Sequence, residues 1–210
     1  MPVETVHVTH PVVSDALARI RDRDTPNSLF RRNLERIGSL LLAEATRDLP
    51  TVDGTVETPL TTAPARRIAV QPVVVPILRA GLGFVAAAQD LLPNADLGFI
   101  GIARNEQTHQ PEPYVNKLPE SLAGRPVIVV DPMLATGGSL IHTLRLLLER
   151  GAPEPITVVC ALAAPEGIAA LDAAGMNLRL VVAAVDDHLN DDAFIVPGLG
   201  DAGDRLFGTK

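Results

Sequence analysis

One segment of the sequence combines an acidic residue with a glycine-containing loop, and it is the part best suited to chemistry. The apolar run Val127–Val130 ends at Asp131, and Thr-Gly-Gly-Ser at positions 136–139 then leads into the amphipathic stretch Leu140–Leu148. Glycines allow backbone amides to converge on an anion, the Thr136 and Ser139 hydroxyls can donate as well, and a helix N-terminus adds a favourable dipole. The pattern predicts a phosphate-binding loop between a strand and a helix.

Two features restrict what this loop can bind. The nucleoside-triphosphate loop Gly-x4-Gly-Lys-Ser/Thr requires a lysine, which residues 131–139 lack, so triphosphate hydrolysis is poorly supported. A carboxylate directly before a phosphate site would repel the phosphate, so Asp131 makes chemical sense if it binds sugar hydroxyls or a metal. The alternative is a plain turn that Asp131-Pro132 begins and Gly137-Gly138 ends.

A second glycine-containing segment suggests a different class of enzyme. Gly81-x-Gly83-x-x-Ala86 follows the apolar run Pro72–Leu78, and this arrangement matches the dinucleotide fingerprint of nicotinamide-dependent oxidoreductases. The next predicted strand leads to Arg104, where that fold class places an acidic ribose ligand. Together with the richer loop after Val130, this argues against the oxidoreductase.

Several motifs resemble, in the same order, the uracil phosphoribosyltransferase family of type I phosphoribosyltransferases. Val129–Ser139 is similar to the family's phosphoribosyl-diphosphate signature, with Asp131-Pro132 where many type I relatives have two adjacent acidic residues. The other segments are Val75–Gly83, Arg104–Glu106, Ala164–Leu171 and Pro197–Arg205. The resemblance covers nearly the whole chain. It implies a pentosyltransferase that converts uracil and 5-phospho-α-D-ribose 1-diphosphate to UMP and diphosphate in pyrimidine salvage.

The resemblance also implies which residues form the site. Those implied to bind the ribosyl diphosphate are Arg79, Arg104, Asp131, Pro132, Met133, Leu134, Ala135, Thr136, Gly137, Gly138, Ser139 and Asp201. Those implied to contact uracil are Ile195, Gly200, Asp201 and Ala202. Arg79, Asp131 and Asp201 are the expected catalytic residues: Arg79 holds the leaving diphosphate, Asp131 favours the developing ribose cation, and Asp201 assists loss of the uracil N1 proton.

Residues 193–204 are too irregular for a helix and leave many backbone groups free for a ligand. Backbone amides facing O2 and O4 of uracil, with a carbonyl facing N3–H, would reject cytosine because its polar groups would be left unpaired. Phe194 stands where the family usually has tyrosine. The alternative is a loose glycine-rich tail.

Residues 104–125 are polar, contain three prolines and are long for a connector, which predicts a functional loop or flap. We expect the flap, from Arg104 to Ser121, to close over the site and exclude water. Arg104 could instead pair with Glu106.

The resemblance further implies Mg²⁺ bound mainly through the diphosphate, a homodimer or higher homo-oligomer, and GTP as a possible effector. Asp186-Asp187 and Asp191-Asp192 are expected to face solvent or bind Mg²⁺.

The elements that must position these residues alternate along the chain. Strand-like runs are predicted at residues 72–78, 97–103, 127–130, 156–163 and 178–185, and helices near 82–92, 138–150 and 166–174. This order predicts an α/β fold, an open parallel sheet with helices on both faces. Before it come a strand at 3–8, two amphipathic helices, the second capped by Thr25-Pro26, and turns with an edge strand at 50–65.

We predict one phosphoribosyltransferase domain over residues 1–210. Its core would span about 66–185, while residues 1–65 and 186–210 would form a helical arm and a base-binding hood.

Composition excludes several broad classes. The 210 residues are 47% hydrophobic and 20% charged, with a net charge of −7 and 3% aromatic residues, which argues against disorder and against a base-stacking nucleic-acid reader. An RNA-binding regulator on this fold and a phosphoribosyltransferase for another base stay open as alternatives.

The single cysteine, Cys160, lies in an apolar run, and no stretch is long enough to span a membrane, so we expect a cytoplasmic protein with neither membrane nor nucleic-acid partner.

Overall fold

A computed structural model describes residues 3–104 and 111–209, with the backbone alone for residues 103, 104 and 111–113. The strands are β1 (Glu4–His7), β2 (Thr51–Glu57), β3 (Thr62–Ile68), β4 (Val73–Leu78), β5 (Asp96–Leu97), β6 (Phe99–Arg104), β7 (Pro111–Lys117), β8 (Val127–Val130), β9 (Met133–Leu134), β10 (Ile156–Ala163), β11 (Leu178–Val185), β12 (His188–Leu189) and β13 (Ile195–Val196). The helices are α1 (Pro11–Arg21), α2 (Asn27–Ala45), α3 (Val85–Leu91), α4 (Gly138–Glu149), α5 (Pro165–Ala173) and α6 (Ala202–Phe207), with a 3₁₀ turn at Ala80–Phe84.

The main sheet has the order β1-β11-β10-β8-β4-β6-β7. All neighbours in it pair in parallel except β7, which pairs antiparallel with β6. The predicted open α/β sheet is therefore confirmed. Because the strands are parallel, the chain leaves β4, β8 and β11 at one edge of the sheet, which is where ligands bind in such folds.

Two apolar cores cover the two faces of the sheet, which explains the continuous apolar runs. Along one strand Val129 belongs to one core while its neighbours Ile128 and Val130 belong to the other. Successive side chains of a strand point to opposite faces, so a strand covered on both sides must be apolar throughout. Helices α1, α2, α3 and α6 pack on one face and α4 and α5 on the other.

Three predictions about local structure need correction. Residues 50–65 belong to the exposed antiparallel hairpin β2–β3 rather than to turns with one edge strand. Residues 111–117, within the segment predicted as a functional loop or flap, form strand β7, which the sequence did not predict; prolines are tolerated there because β7 is an edge strand. Thr25 does not cap α2: its Oγ1 donates to the Arg19 carbonyl (2.7 Å), and Pro26 occupies the cap position.

The division into a core and a hood stays a prediction. From the N-terminal segment, β1 joins the main sheet beside β11, and α2 lies in the same apolar core as the sheet. In the described part of the chain, no helix is both long and apolar enough to cross a membrane.

Gly38 on α2 fixes how closely this helix approaches the segment after β4. A Cβ at Gly38 would lie 2.5 Å from Cδ1 of Phe84, and Phe84 is fully buried at the end of the 3₁₀ turn. The turn that follows Leu78 is thus held against α2 by a contact that tolerates no side chain.

We expect Gly38→Ala to lower the free energy of unfolding by about 1–3 kcal/mol, the usual cost of overpacking. Alanine is the better helix former, so a gain in stability would contradict the packing argument. The measurement is urea unfolding, with Ser39→Ala on the exposed face of α2 as the control, which we expect to change stability by less than about 0.5 kcal/mol.

Candidate active site

The segment after β8, residues 131–139, is tied along its first half to β10; we call it the phosphate loop. The Asp131 amide donates to the Val159 carbonyl (3.1 Å), and the amides of Ala161 and Leu162 both donate to the Pro132 carbonyl (3.0 Å each). The Ala164 amide donates to the Leu134 carbonyl (2.8 Å), so the short strand β9 continues the sheet. These bonds fix where Asp131 leaves the sheet.

The second half of the phosphate loop turns into α4. Gly137 has φ 81°, a left-handed conformation that favours glycine, and a Cβ there would lie 3.1 Å from the Gly167 carbonyl oxygen. Gly167 of α5 in turn packs against the Ala135 carbonyl oxygen with no room for a side chain. Thr136, Gly138 and Ser139 are exposed. The predicted strand, loop and helix are present, and the loop leaves its hydroxyls and the start of α4 open to solvent.

The Asp131 carboxyl lies in a desolvated position. Burial raises its pKa to about 7, against a smaller lowering by the Met133 amide, which donates to Oδ1 (3.4 Å). Burial, with a smaller contribution from the Asp131 charge, raises the pKa of the Cys160 thiol well above its usual value. The cysteine is therefore a neutral, buried neighbour, as its apolar sequence context predicts.

Arg79 follows β4 and reaches the C-terminal part of the chain. Its side chain is 54% exposed, and Nη2 lies 3.3 Å from Oδ1 of Asp204 on α6. A Cβ at Gly81 would lie 2.6 Å from the Val130 carbonyl oxygen, and one at Gly83 would lie 2.7 Å from Cδ2 of Leu34. These glycines serve packing within the protein, which removes the basis for a dinucleotide fingerprint.

The segment from β13 to the first residue of α6, residues 195–202, is what we call the C-terminal loop. Antiparallel pairing of β13 with β12 holds the start of the loop. Gly198 (φ 60°) makes a tight turn in which the Ile195 carbonyl occupies the space of a side chain. At the end of the loop, Asp201 caps α6 by accepting a hydrogen bond from the Asp204 amide (2.8 Å). The segment is an ordered loop rather than a loose tail.

A cavity of about 300 Å³ lies between these segments. The phosphate loop contributes Met133 and Ala135 to its wall, and the turn after β4 contributes Ala80. Its other lining residues come from the C-terminal part: Asp192, Ala193, Phe194, Ile195, Gly200, Asp201, Ala202 and Gly203. The structure thus gathers residues from both predicted binding sets around one space. Asp131 and residues 136–139 are not among its described lining residues.

Two of the expected site features cannot be placed. The side chain of Arg104 lies outside the described residues, as do residues 105–110 of the expected flap, which include Glu106.

Sequence reasoning missed two acidic residues at this edge of the sheet. Asp204, the partner of Arg79, is 15% exposed in its side chain; the signal for it was a second acidic residue three positions after Asp201. Asp186 was expected to face solvent or bind Mg²⁺, but it is buried (7% exposed) and paired with Arg21. The partner is 165 positions away in the sequence, so no local pattern could reveal it.

Within residues 3–104 and 111–209, no group of three or more His, Cys, Asp or Glu side chains is arranged to hold a metal ion. The side chains described at this edge of the sheet suit instead a ligand with phosphate groups, because arginine, hydroxyls and a helix start favour anions.

Known proteins of one family are similar to this chain over nearly its whole length. The family model for uracil phosphoribosyltransferase matches residues 7–209. The uracil phosphoribosyltransferase of Corynebacterium diphtheriae is 51% identical over 203 residues, covering 97% of this chain and 96% of the relative. That of Corynebacterium efficiens is 50% identical over the same shares.

Two solved structures are similar in fold to this chain, one of them closely and the other more distantly. A protein of Aquifex aeolicus is 39% identical and superposes with a TM-score of 0.91, covering 98% of this chain and 99% of its own. A hypoxanthine-guanine phosphoribosyltransferase of Bacillus anthracis has a TM-score of 0.51 at 16% identity, over 76% of this chain and 80% of its own. The second likeness concerns the fold alone.

The raised pKa of Asp131 predicts how stability depends on pH. The unfolded carboxyl loses its proton near pH 4 and the folded one near pH 7, so ionisation opposes folding increasingly across this interval. At pH 8 we expect Asp131→Asn to exceed the original protein in free energy of unfolding, by at most about 4 kcal/mol.

At pH 4 the folded Asp131 carboxyl is neutral like the asparagine amide, and the unfolded carboxyl is only about half ionised, so the two proteins should differ in free energy of urea unfolding by less than about 1 kcal/mol. A difference that is the same at pH 4 and pH 8 would contradict the raised pKa. Asp53→Asn, at a carboxylate that is 81% exposed, controls for removal of a charge.

Proposed function

The chain belongs to the uracil phosphoribosyltransferase family, and from this membership we infer which of its residues carry the reaction. The enzyme is a pentosyltransferase that converts uracil and 5-phospho-α-D-ribose 1-diphosphate to UMP and diphosphate. The family match over residues 7–209 carries this conclusion. A cavity that is bounded by both the phosphate loop and the C-terminal loop supports it in the structure, because the two substrates must meet at one place.

We assign the phosphate group of the ribosyl diphosphate to residues 136–139. Exposed hydroxyls and amides at the start of α4 can donate to phosphate oxygens, and the helix dipole favours the negative charge. The bonds of Pro132 to β10 and of Leu134 to Ala164 hold this loop in place before the substrate arrives. Donors that are already positioned need no reorganisation during the reaction.

Arg79 is our candidate for holding the diphosphate leaving group. Its side chain is about half exposed, and its contact with Asp204 is long at 3.3 Å, so the guanidinium is available to phosphate oxygens. A guanidinium can donate two parallel hydrogen bonds to such a group. Loss of diphosphate leaves positive charge on the ribose, and holding the leaving group lowers the barrier to that loss.

Asp131 is placed to act on the ribose. Once ionised, its carboxylate would accept hydrogen bonds from ribose hydroxyls and stabilise the positive charge that develops at the anomeric carbon, more strongly than in water because the site is desolvated. Asp201 of the C-terminal loop lines the cavity and is our candidate for accepting the N1 proton of uracil.

Uracil would lie in the cavity against the backbone of Ile195 and Gly200–Ala202. Ile195 and Ala202 are buried, and Gly200 has φ 79°, so this part of the wall presents backbone more than side chains. Such a wall can match the donors and acceptors of uracil and leave those of cytosine unpaired. Phe194 lines the same cavity with its ring 43% exposed.

Mg²⁺ is proposed to enter with the diphosphate. The described side chains offer no protein cage for it, and Mg²⁺ in phosphate-binding enzymes takes many of its oxygen ligands from substrate phosphates and water. No residue of this chain is assigned as a direct ligand.

Three further proposals rest on the family resemblance: assembly as a homodimer or higher homo-oligomer, GTP as an effector, and a location in the cytoplasm. The hairpin β2–β3 supports assembly, since β2 is exposed along its length and the hairpin carries Val52, Val56 and Leu60 on its surface. Exposed apolar side chains on a projecting hairpin suit contact with a second copy.

The decisive assay measures UMP formation from uracil and 5-phospho-α-D-ribose 1-diphosphate, with cytosine and hypoxanthine as competing bases. We expect turnover with uracil and a preference over cytosine of about 10⁴-fold or more, as for sites that hydrogen-bond their substrate. Equal turnover with another base would reassign the substrate. Salt-dependent RNA binding without turnover would favour the regulator.

Arg79→Gln tests the assignment of the leaving-group site. Loss of a charged hydrogen bond should raise KM for the ribosyl diphosphate or lower kcat by about tenfold or more, while KM for uracil changes little. Arg125→Gln, which breaks the pair with Asp96 at the other edge of the sheet, is the matched control. If both variants behave alike in steady-state kinetics, Arg79 has no specific role.

A further inference from the structure

Asp186 and Arg21 form a largely buried ion pair, with the Arg21 side chain 24% exposed, and the proposed mechanism does not use it. Asp186 directly follows β11, and its side chain is 4% exposed. Arg21 is the last residue of α1, and its guanidinium holds the carboxylate with two bonds, Nη2 to Oδ1 at 2.5 Å and Nη1 to Oδ2 at 2.8 Å. This geometry is the two-pronged pairing that gives arginine and carboxylate a fixed mutual orientation.

The pair holds both backbone polar groups of a single residue in the C-terminal loop. The Gly198 amide donates to Oδ2 of Asp186 (2.9 Å), and Nη1 of Arg21 donates to the Gly198 carbonyl oxygen (2.8 Å). Gly198 is also the turn in which the Ile195 carbonyl takes the place of a side chain. The ion pair therefore clamps the tightest point of the loop, between Ile195 and Gly200, which both line the cavity.

A second arginine ties the next residue to the same end of α1. Arg205 of α6 donates through Nη1 to the Leu199 carbonyl (2.9 Å) and, on α1, to the Ile20 carbonyl. Its Nη2 donates to the Asp22 carbonyl (2.6 Å), and the guanidinium stacks over the Phe30 ring at 4.5 Å. Arg21 and Arg205 thus attach two successive backbone carbonyls, at residues 198 and 199, to the C-terminal end of α1.

Energetics indicate that this pair does more than stabilise the fold. A buried ion pair contributes little that well-packed apolar side chains of similar size could not replace, because desolvation offsets its attraction. Apolar side chains cannot, however, accept from an amide and donate to a carbonyl at the same turn. What the pair supplies in addition to stability is a defined position for the Gly198 peptide groups.

We propose that Arg21 and Asp186 are positioning residues for base recognition. By fixing the turn at Gly198, they set the backbone of Ile195 and Gly200–Ala202 at the distance that uracil requires, while neither side chain touches the substrate. This inference rests on the proposed function, since it gives a role to the wall against which uracil would lie. It assigns to the end of α1 a part in specificity that no motif of the sequence indicates.

The test compares Asp186→Asn with Asp15→Asn, a matched change on α1 at an exposed ion pair with Arg19. In Asp186→Asn one carboxylate oxygen becomes an NH2 group and the charge is lost, so at least one of the three bonds that the carboxylate accepts from Arg21 and the Gly198 amide is broken. We expect KM for uracil to rise about tenfold or more, the usual effect of losing a charged hydrogen bond, with KM for the ribosyl diphosphate within about twofold. Asp15→Asn should match the original protein in both constants.

A double variant separates positioning from stability. Arg21→Met with Asp186→Leu replaces the pair by apolar side chains of similar size, a change that often restores stability. We expect its Tm to recover above that of Asp186→Asn while KM for uracil stays raised, because Gly198 has lost both partners. If Asp186→Asn fails to fold, the double variant decides alone.

Two outcomes would overturn the inference. One is that the double variant recovers its KM for uracil together with its Tm. The other is that Asp186→Asn raises KM for uracil and KM for the ribosyl diphosphate by the same factor. Both are distinct from failure of the proposed function, in which the original protein itself would form no UMP from uracil.

Discussion

The attachment of the phosphate loop to β10 is the constraint on which the rest of the site depends. A chain leaving β8 could turn in many directions, but the Pro132 carbonyl accepts bonds from β10 and the Leu134 carbonyl accepts one from Ala164 directly after it, so the sheet continues for two more residues at β9. Beyond these residues Gly137 adopts a left-handed conformation, and α4 begins at the next residue. The glycine of α5 that packs on Ala135 closes the loop from the other face. An anion site is thereby built from backbone groups whose positions the sheet determines.

That rigidity carries a cost at Asp131. The same packing that holds its carboxyl at the start of the phosphate loop removes water from it and raises its pKa to about 7. A charge held in such a position opposes folding, yet a desolvated carboxylate interacts more strongly with a developing cation. Active sites commonly trade stability for reactivity in this way, and here the trade involves one identifiable side chain.

The C-terminal loop is held differently, by side chains rather than by a sheet. Arg21, Asp186 and Arg205 bind its backbone at residues 198 and 199, and all of these bonds lead to the end of α1. The N-terminal helix therefore supports the wall of a cavity formed mostly by residues near the other end of the chain. One proposed substrate site depends on the order of the strands, and the other proposed site depends on contacts between the two ends of the chain.

The sequence by itself determined the strands, the helices near them and the phosphate loop, because apolar runs and a Gly-Gly turn are local patterns. The strands predicted at 127–130, 156–163 and 178–185 match β8, β10 and β11. Tertiary structure decided what depends on distant neighbours: the burial of Asp186 by Arg21, the contact of Arg79 with Asp204, and the pairing of β7 with β6 despite its prolines. It also decided the pKa of Asp131, since desolvation is a property of the packed site and not of the residue.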